Sequence, residues 1–224
     1  MRIIVFLLLS ALSIGTLVGN DPVKSPAFGS SNARTIYNQI GNRSMSFDAF
    51  DLAYSGWLTL KDSLNLSENV ITVVDFSQPS DKKRFYLIDM DSMEVIYQNY
   101  VAHGKNTGAL VAKHFSNTPN SYQSSLGFFK TAETYRGKHG LSLKLDGLEK
   151  GINSKARERA IVIHAASYAE ESFIKKYGRL GRSFGCPALP AENYPEIIDL
   201  IKNGTLLFIY YPQEAYLKIS PVLN

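Results

Sequence analysis

The spacing of apolar residues changes along the chain, and the change predicts a helix followed by a series of strands. Ser46 precedes four aromatic residues spaced three or four positions apart, namely Phe47, Phe50, Tyr54 and Trp57. This spacing places the rings on one face of a helix, with Ser46 as its N-cap. We expect the rings to pack in the core rather than to bind a ligand.

Strand-like patterns dominate the rest of the chain. β-branched and aromatic residues fill the ranges 70–76, 84–89 and 94–102, and polar turn residues separate them. The apolar runs 160–163 and 205–211 predict two further buried strands. The pattern therefore predicts a mainly β (α+β) domain with a few flanking helices.

Two more helices are expected in the C-terminal third. The sequence from Ser167 to Glu170 matches a capping box and predicts a helix that reaches Tyr177 and ends at Gly178. A last helix is predicted over residues 195–202, since proline suits the first turn and a glycine follows at position 204.

Two polar stretches interrupt these elements. Residues 20–46 are rich in Ser, Asn and Gly and predict a mobile lead-in. The Gly- and Ser-rich stretch 104–151 is too long for a simple connection, so it is expected to build part of a site.

The N-terminus has the pattern of a secretory signal. Arg2 precedes an apolar run over residues 3–12, and small residues follow it. The run is short for a membrane span, although a retained N-terminal anchor is an alternative. We therefore expect a signal peptide over 1–19, a lead-in and helix over 20–66, and the main folded domain over 67–224. The mature protein is expected in the periplasm or cell envelope, without stable membrane insertion.

Composition narrows the function classes. The chain has 224 residues, 45% of them hydrophobic, and a formal charge of +4. This excludes collagen-like, coiled-coil and wholly disordered chains, and the slight charge without a basic stripe gives no reason to expect nucleic acid. The single cysteine excludes an intramolecular disulfide and a Cys-rich zinc site. A lone thiol in an exported protein either does chemistry or is well buried.

That thiol, Cys186, lies in a loop that suits a nucleophile. Glycines and a proline surround it, and Arg179 and Arg182 are expected to supply positive charge that favours the thiolate. The amides of Gly185 and Cys186, with the hydroxyl of Ser183 nearby, are candidates for an oxyanion hole. The alternative is that Cys186 is a small buried apolar residue.

His164 is the best placed of the four histidines to act as the base. It follows the buried run 160–163, and only one helix and the glycine-rich loop separate it from Cys186. A neutral imidazole takes the thiol proton and later returns it to a leaving amine. No Asp or Asn is placed to orient the ring, which leaves a backbone carbonyl near His164 as an option.

The motifs around these two residues resemble the YkuD-like murein L,D-transpeptidases. The likeness rests on Ile163-His164 and residues 181–189, extends to 103–106, 124–127 and 135–140, and covers about residues 70 to 211. Three positions depart from the commoner family motif, namely Phe184, Ala188 and Ala165, which stand where that motif has His, Asn and Gly.

The resemblance implies a β-sandwich or barrel in which Cys186 attacks a peptidoglycan stem peptide. D-alanine leaves, a thioester remains, and an amine of a neighbouring stem or a water molecule resolves it. No metal or organic cofactor is implied. Arg182, Ser125, Gly127 and His139 are expected to contact substrate. A structural turn is the alternative for Ser125 and Gly127, and an exposed loop position is the alternative for His139.

Three rival functions remain open. The first is an exported cysteine peptidase of another class, although papain-like and related murein peptidases carry Cys before His. The second is a non-catalytic cell-wall-binding module in which Cys186 is inert. The third is a zinc peptidase, for which the chain has no His-Glu-x-x-His spacing. The acceptor amine, the balance of crosslinking and trimming, and the oligomeric state stay open.

Overall fold

The computed structural model describes residues 31–224, so the predicted signal peptide lies outside the described residues. Within this range no helix is long and apolar enough to cross a membrane. The described chain contains five α-helices: α1 Ser31–Ile40, α2 Phe47–Leu60, α3 Glu171–Tyr177, α4 Tyr194–Ile201 and α5 Glu214–Ile219. A short 3₁₀ helix, Ser167–Ala169, precedes α3.

Eight strands form one sheet. They are β1 Val70–Asp75, β2 Phe85–Asp89, β3 Glu94–Asn99, β4 Gly127–Gly137, β5 Gly140–Gly147, β6 Val162–Ala165, β7 Ala188–Leu189 and β8 Leu206–Tyr210. Their order in space is β3-β2-β1-β8-β4-β5-β6-β7. The pairs β1–β8 and β6–β7 are parallel, and the other pairs are antiparallel. The predicted mainly β fold is confirmed.

The sheet curls until its two ends nearly meet. Ala102, shortly after edge strand β3, forms an antiparallel bridge with Ala188 of the opposite edge strand β7. The two residues exchange backbone hydrogen bonds of 2.8 and 3.3 Å. The result is a nearly closed barrel, and closure covers backbone groups that an open edge would expose.

The predicted aromatic helix is confirmed as α2. The Ser46 hydroxyl accepts a hydrogen bond from the amide of Ala49, so it caps the helix as expected. Phe50, Tyr54 and Trp57 are buried against the sheet. Burying rings of this size is among the largest apolar contributions a residue makes to folding, about 1.5–3 kcal/mol each.

The expected mobile lead-in is wrong for its C-terminal part, which forms α1. Ala33, Ile36 and Tyr37 are buried and give this helix a narrow apolar stripe that packs on α2. The hydroxyl of Tyr37 donates to the carbonyl of Met45 at 2.5 Å. The polar residues on the other face make the overall composition of the segment polar, and the composition therefore gave no sign of this apolar stripe.

The long Gly- and Ser-rich stretch contains the two longest strands, which the sequence analysis missed. Strands β4 and β5 form a hairpin whose end residues Gly137 and Gly140 pair across a two-residue turn, Lys138 and His139. The left-handed φ of +76° at Gly140 suits this turn. The hairpin therefore projects its tip beside β6.

The predicted capping box is also wrong. Ser167 begins the 3₁₀ helix, and α3 starts only after Glu170 without a side-chain cap. The carboxylate of Glu170 instead accepts the amide of Ala191 at 2.8 Å, so it does not reach back to the serine. The predicted end at Gly178 is confirmed, with this glycine in the left-handed conformation.

Candidate active site

The loop that carries Cys186 is closed by the hydroxyl of Ser183. This hydroxyl accepts the Gly185 amide at 3.1 Å and donates to the Cys186 carbonyl at 2.6 Å. Gly185 has a left-handed φ of +127°, and a Cβ at this position would lie 2.8 Å from the Gln123 carbonyl oxygen. Only glycine fits such a turn without strain.

Strand pairing brings His164 and Cys186 to the same face. His164 of β6 pairs with Ala188 of β7, and Cys186 lies two positions before Ala188. Cys186 lies in the bend that leads into β7, so the pairing brings its loop beside His164, and the imidazole and the thiol line the same space.

That space is a pocket of about 640 Å³. Its wall contains five of the predicted site residues, namely the catalytic candidates Cys186, His164 and Ser183 and the expected substrate contacts Arg182 and His139. The other lining residues are Tyr135, Gly137, Lys138, Arg159, Ala160, Val162, Tyr168 and Phe184.

The imidazole of His164 is held by its own strand. Its Nδ1 lies 3.0 Å from the carbonyl oxygen of Ala165, which can only accept. The neutral ring therefore carries its proton on Nδ1 and leaves Nε2 as the accepting nitrogen. Burial lowers the pKa of His164, the bond to Ala165 partly opposes this, and the neighbouring His139 and Lys138 lower the pKa further.

The thiol of Cys186 is protonated in the resting site. It donates a hydrogen bond to the Ala160 carbonyl at 3.6 Å. Burial raises the pKa of this thiol, and the Val162 amide and the charge of Arg159 partly offset the rise. A base is therefore needed to generate the thiolate near neutral pH.

His139 covers His164 from the tip of the β4–β5 hairpin. The two rings are stacked with centroids 4.5 Å apart and planes 25° from parallel. His139 is itself exposed, so it lies between the buried imidazole and solvent. Its position beside the pocket follows from the two-residue turn.

Ser125 and Gly127 lie outside the set of pocket-lining residues. The Ser125 hydroxyl donates to the Ser116 carbonyl at 2.8 Å and accepts from Arg159 at 2.6 Å. Gly127 begins β4, and a Cβ there would collide with the buried carboxylate of Glu149. Any effect of these two residues on substrate therefore passes through other groups.

The structure adds two residues that sequence reasoning missed, Arg159 and Tyr168. Arg159 supplies the largest of the positive charges that act on Cys186, whereas Arg179 and Arg182 act on the buried His103. Burial, and then the charge of Cys186, raise the pKa of Tyr168 to about 12. Neither residue belongs to a sequence pattern that signals a site, because only the fold brings them beside the thiol.

Among residues 31–224, no group of three or more His, Cys, Asp or Glu side chains is placed to hold a metal ion. The fold and the pocket define a class of protein, a β-barrel domain that brings a thiol and a buried imidazole together. The family model of the L,D-transpeptidase catalytic domain, YkuD_2, matches residues 41–210. The chain belongs to this family.

Solved structures of similar proteins share only low identity with the chain. An L,D-transpeptidase from Mycobacterium smegmatis is 13% identical, with 64% of this chain and 59% of that chain covered and a TM-score of 0.40. The helical cell shape determining protein Pgp2 from Campylobacter jejuni is 11% identical, with coverages of 66% and 50% and a TM-score of 0.41. The chain thus spans 50–59% of these two solved chains. A comparison with curated proteins found no match.

Proposed function

We propose that the protein is an exported cysteine L,D-transpeptidase that acts on peptidoglycan stem peptides and releases D-alanine. The observation that carries the proposal is the placement of Cys186 and His164 in one pocket, with Nδ1 of the imidazole bound to the Ala165 carbonyl. Membership of the L,D-transpeptidase catalytic domain family supports the reaction class and the substrate.

The first half-reaction forms a thioester. Nε2 of His164 accepts the thiol proton, and the sulfur of Cys186 attacks the carbonyl carbon that follows the L-centre of the diamino acid at the third stem position. The C–N bond then breaks, and His164 gives the proton to the leaving amine of D-alanine. A raised thiol pKa and a lowered imidazole pKa keep both groups neutral until substrate arrives.

The second half-reaction releases the product. The amine of a neighbouring stem attacks the thioester carbonyl and passes its proton to His164, the C–S bond breaks, and His164 returns the proton to the sulfur of Cys186. Water in place of the amine yields a tripeptide stem, so the same site serves as an L,D-carboxypeptidase.

The negative charge on the attacked oxygen needs hydrogen-bond donors. The Gly185 amide was one candidate, but it already donates to Ser183 because the hydroxyl closes the turn. The Cys186 amide is the donor that we propose. Ser183 then acts by closing the turn on both sides of that amide, and the Ser124 hydroxyl holds the same peptide group through the Gly185 carbonyl.

The charge of the pocket suits a stem peptide with free carboxylates. Lys138, Arg159 and Arg182 line it, and none of the lining residues in the described range 31–224 is an Asp or Glu. Positive walls attract and retain an anionic substrate. Export, suggested by the pattern of residues 1–19, would bring the domain to the periplasm or cell envelope where such stems occur.

The test is incubation of the mature protein with tetrapeptide muropeptides, with products resolved by mass. The parent is expected to give crosslinked dimer or tripeptide together with free D-alanine, and Cys186→Ala none of these. His114→Ala, at an exposed position away from the pocket, is the matched control. Internal cleavage without D-alanine would identify a cysteine peptidase of another class.

A non-catalytic wall-binding module is the second candidate. The observation in its favour is that the thiol is half-buried and donates to the Ala160 carbonyl. A cysteine without a chemical role is held in the same way. Binding to isolated peptidoglycan that survives alkylation of Cys186, without turnover by the untreated protein, would support this function over catalysis.

A further inference from the structure

Arg159, in the wall of the pocket, is held by hydrogen bonds to neutral groups. One Nη donates to the Ser116 carbonyl and to the Ser125 hydroxyl, each at 2.6 Å. The other donates to the Gln123 carbonyl at 2.5 Å and to the Ser121 hydroxyl at 3.2 Å. All four partners belong to one segment, residues 116–125.

The segment 116–125 in turn supports the loop of the nucleophile. The hydroxyl of Ser124 donates to the Gly185 carbonyl at 3.0 Å. On the same side, a Cβ on Gly185 would lie 2.8 Å from the Gln123 carbonyl and 3.4 Å from an Nη of Arg159. The guanidinium therefore packs beside the residue that precedes Cys186, and the segment it holds contacts that residue directly.

The charge of Arg159 is not neutralised by these four partners, because each is a carbonyl or a hydroxyl. Arg157, two positions earlier, differs in this respect, since it is ion-paired with Glu133 and Asp146 at the surface. Burial lowers the pKa of Arg159, and the negative charge of a Cys186 thiolate opposes that change. An uncompensated cation near a thiol favours the thiolate.

We propose that Arg159 is a positioning residue for the nucleophile, because it holds the segment 116–125 against the Gly185 turn and carries beside Cys186 a positive charge that none of its four partners neutralises. The inference deepens the proposed function and rests on it for its catalytic meaning. It also explains how Ser125 affects the site, because its hydroxyl holds Arg159 and does not contact substrate.

The first test measures the alkylation rate of Cys186 by iodoacetamide as a function of pH. Arg159→Gln removes the charge and is expected to raise the thiol pKa by about one unit. Arg159→Lys keeps a charge and is expected to stay near the parent. Arg157→Gln, which removes an arginine from an exposed ion pair, is the matched control and is expected to leave the profile unchanged.

The second test measures D-alanine release at fixed pH. Both Arg159→Gln and Arg159→Lys are expected to lower kcat about tenfold or more, because lysine cannot make the four contacts of the brace. KM is expected to change less than kcat. A lysine variant with parental kcat would overturn the bracing role, and a glutamine variant with the parental alkylation profile would overturn the charge role.

Alkylation separates this inference from the proposed function, because it needs no stem peptide. If the parent releases no D-alanine but Arg159→Gln still shifts the thiol pKa, the function fails and the charge role of Arg159 stands. If Arg159→Gln does not fold, Ser125→Ala removes one brace contact and keeps the charge. It is then expected to lower kcat with an unchanged alkylation profile, and parental kcat in that variant would contradict the brace.

Discussion

His103 and His164 are both buried histidines with a polar contact at Nδ1, yet the two contacts have opposite direction. The guanidinium of Arg84 donates to Nδ1 of His103 at 2.7 Å, so Nε2 carries the proton and donates to the Gly108 carbonyl at 3.2 Å. At His164 the Ala165 carbonyl accepts the Nδ1 proton, so Nε2 is the basic nitrogen beside the pocket. Both nitrogens of His103 are occupied, and one of His164 is left for chemistry.

The comparison shows that burial alone does not identify a catalytic histidine. Burial, followed by the charge of Arg84, lowers the pKa of His103 to about 3, so this ring stays neutral as part of a rigid network. The pKa of His164 is lowered as well, chiefly by burial, but its basic nitrogen faces a pocket that also contains a thiol. The direction of one hydrogen bond therefore separates a structural ring from a candidate base.

Removing the thiol should lower turnover more than any other change, because it leaves His164 without a group to deprotonate. Cys186→Ala is expected to fold normally and to lose D-alanine release altogether. Intact-protein mass after incubation with a carbapenem is expected to show an adduct on the parent alone. If neither iodoacetamide nor the carbapenem modifies the native parent, the thiol is inaccessible and the catalytic interpretation is wrong.

Replacing each histidine in turn tests the distinction directly. His164→Ala is expected to slow turnover by about two to four orders of magnitude, the usual contribution of a general base. His103→Gln keeps a neutral polar side chain and is expected to retain most activity per folded molecule. The measurement is kcat/KM on tetrapeptide stems, and comparable losses in the two variants would remove the distinction.

The structural histidine, His103, is expected to make the free energy of unfolding depend on pH. Its folded pKa of about 3 lies below its ordinary value, so the unfolded chain binds a proton first and stability falls as the pH drops below about 6.5. At pH 5 the expected loss from His103 is about 2 kcal/mol relative to pH 7. Denaturant unfolding at both pH values should show a smaller loss in His103→Gln, and an equal loss would contradict this origin.

The smallest expected effect concerns the ring that covers His164. Besides burial, the electrostatic effect of the neighbouring His139 lowers the pKa of His164, so His139→Ala should raise it. The acid limb of the kcat/KM profile is then expected to move to higher pH by less than about one unit. His114→Ala should leave the limb in place. A shift to lower pH in His139→Ala would contradict the stacked arrangement.

The sequence predicted what local spacing determines. The helix after Ser46 and the strands later observed as β1, β2, β3 and β8 were identified because periodic burial leaves a direct trace in the sequence. The β4–β5 hairpin was missed although Leu141, Leu143 and Leu145 alternate with polar residues, because the glycines and serines around them suggested a loop. The same misjudgement hid the turn that places His139 over His164.

Only those site residues that lie in the glycine-rich loop or at the end of a predicted strand could be identified from the sequence. Cys186 and His164 were identified in this way, and the structure places them in one pocket. Arg159 was not, because its relation to the thiol depends on the segment 116–125, which the fold brings back from far along the chain. Long-range contacts of this kind leave no periodic signal.

The joint between Ala102 and Ala188 gives the barrel a weakest point. It consists of two isolated bridges, Ala102–Ala188 and Gly104–Ser183, whereas β1 and β2 pair over five residues of each strand. Local opening should therefore need less free energy there than in the central strands, and the amides of Ala102 and Ala188 should exchange with deuterium sooner than those of Val73 and Val74. Because Ala188 follows Cys186 by two positions, local opening of this joint would loosen the loop that carries the thiol while the rest of the barrel stays protected.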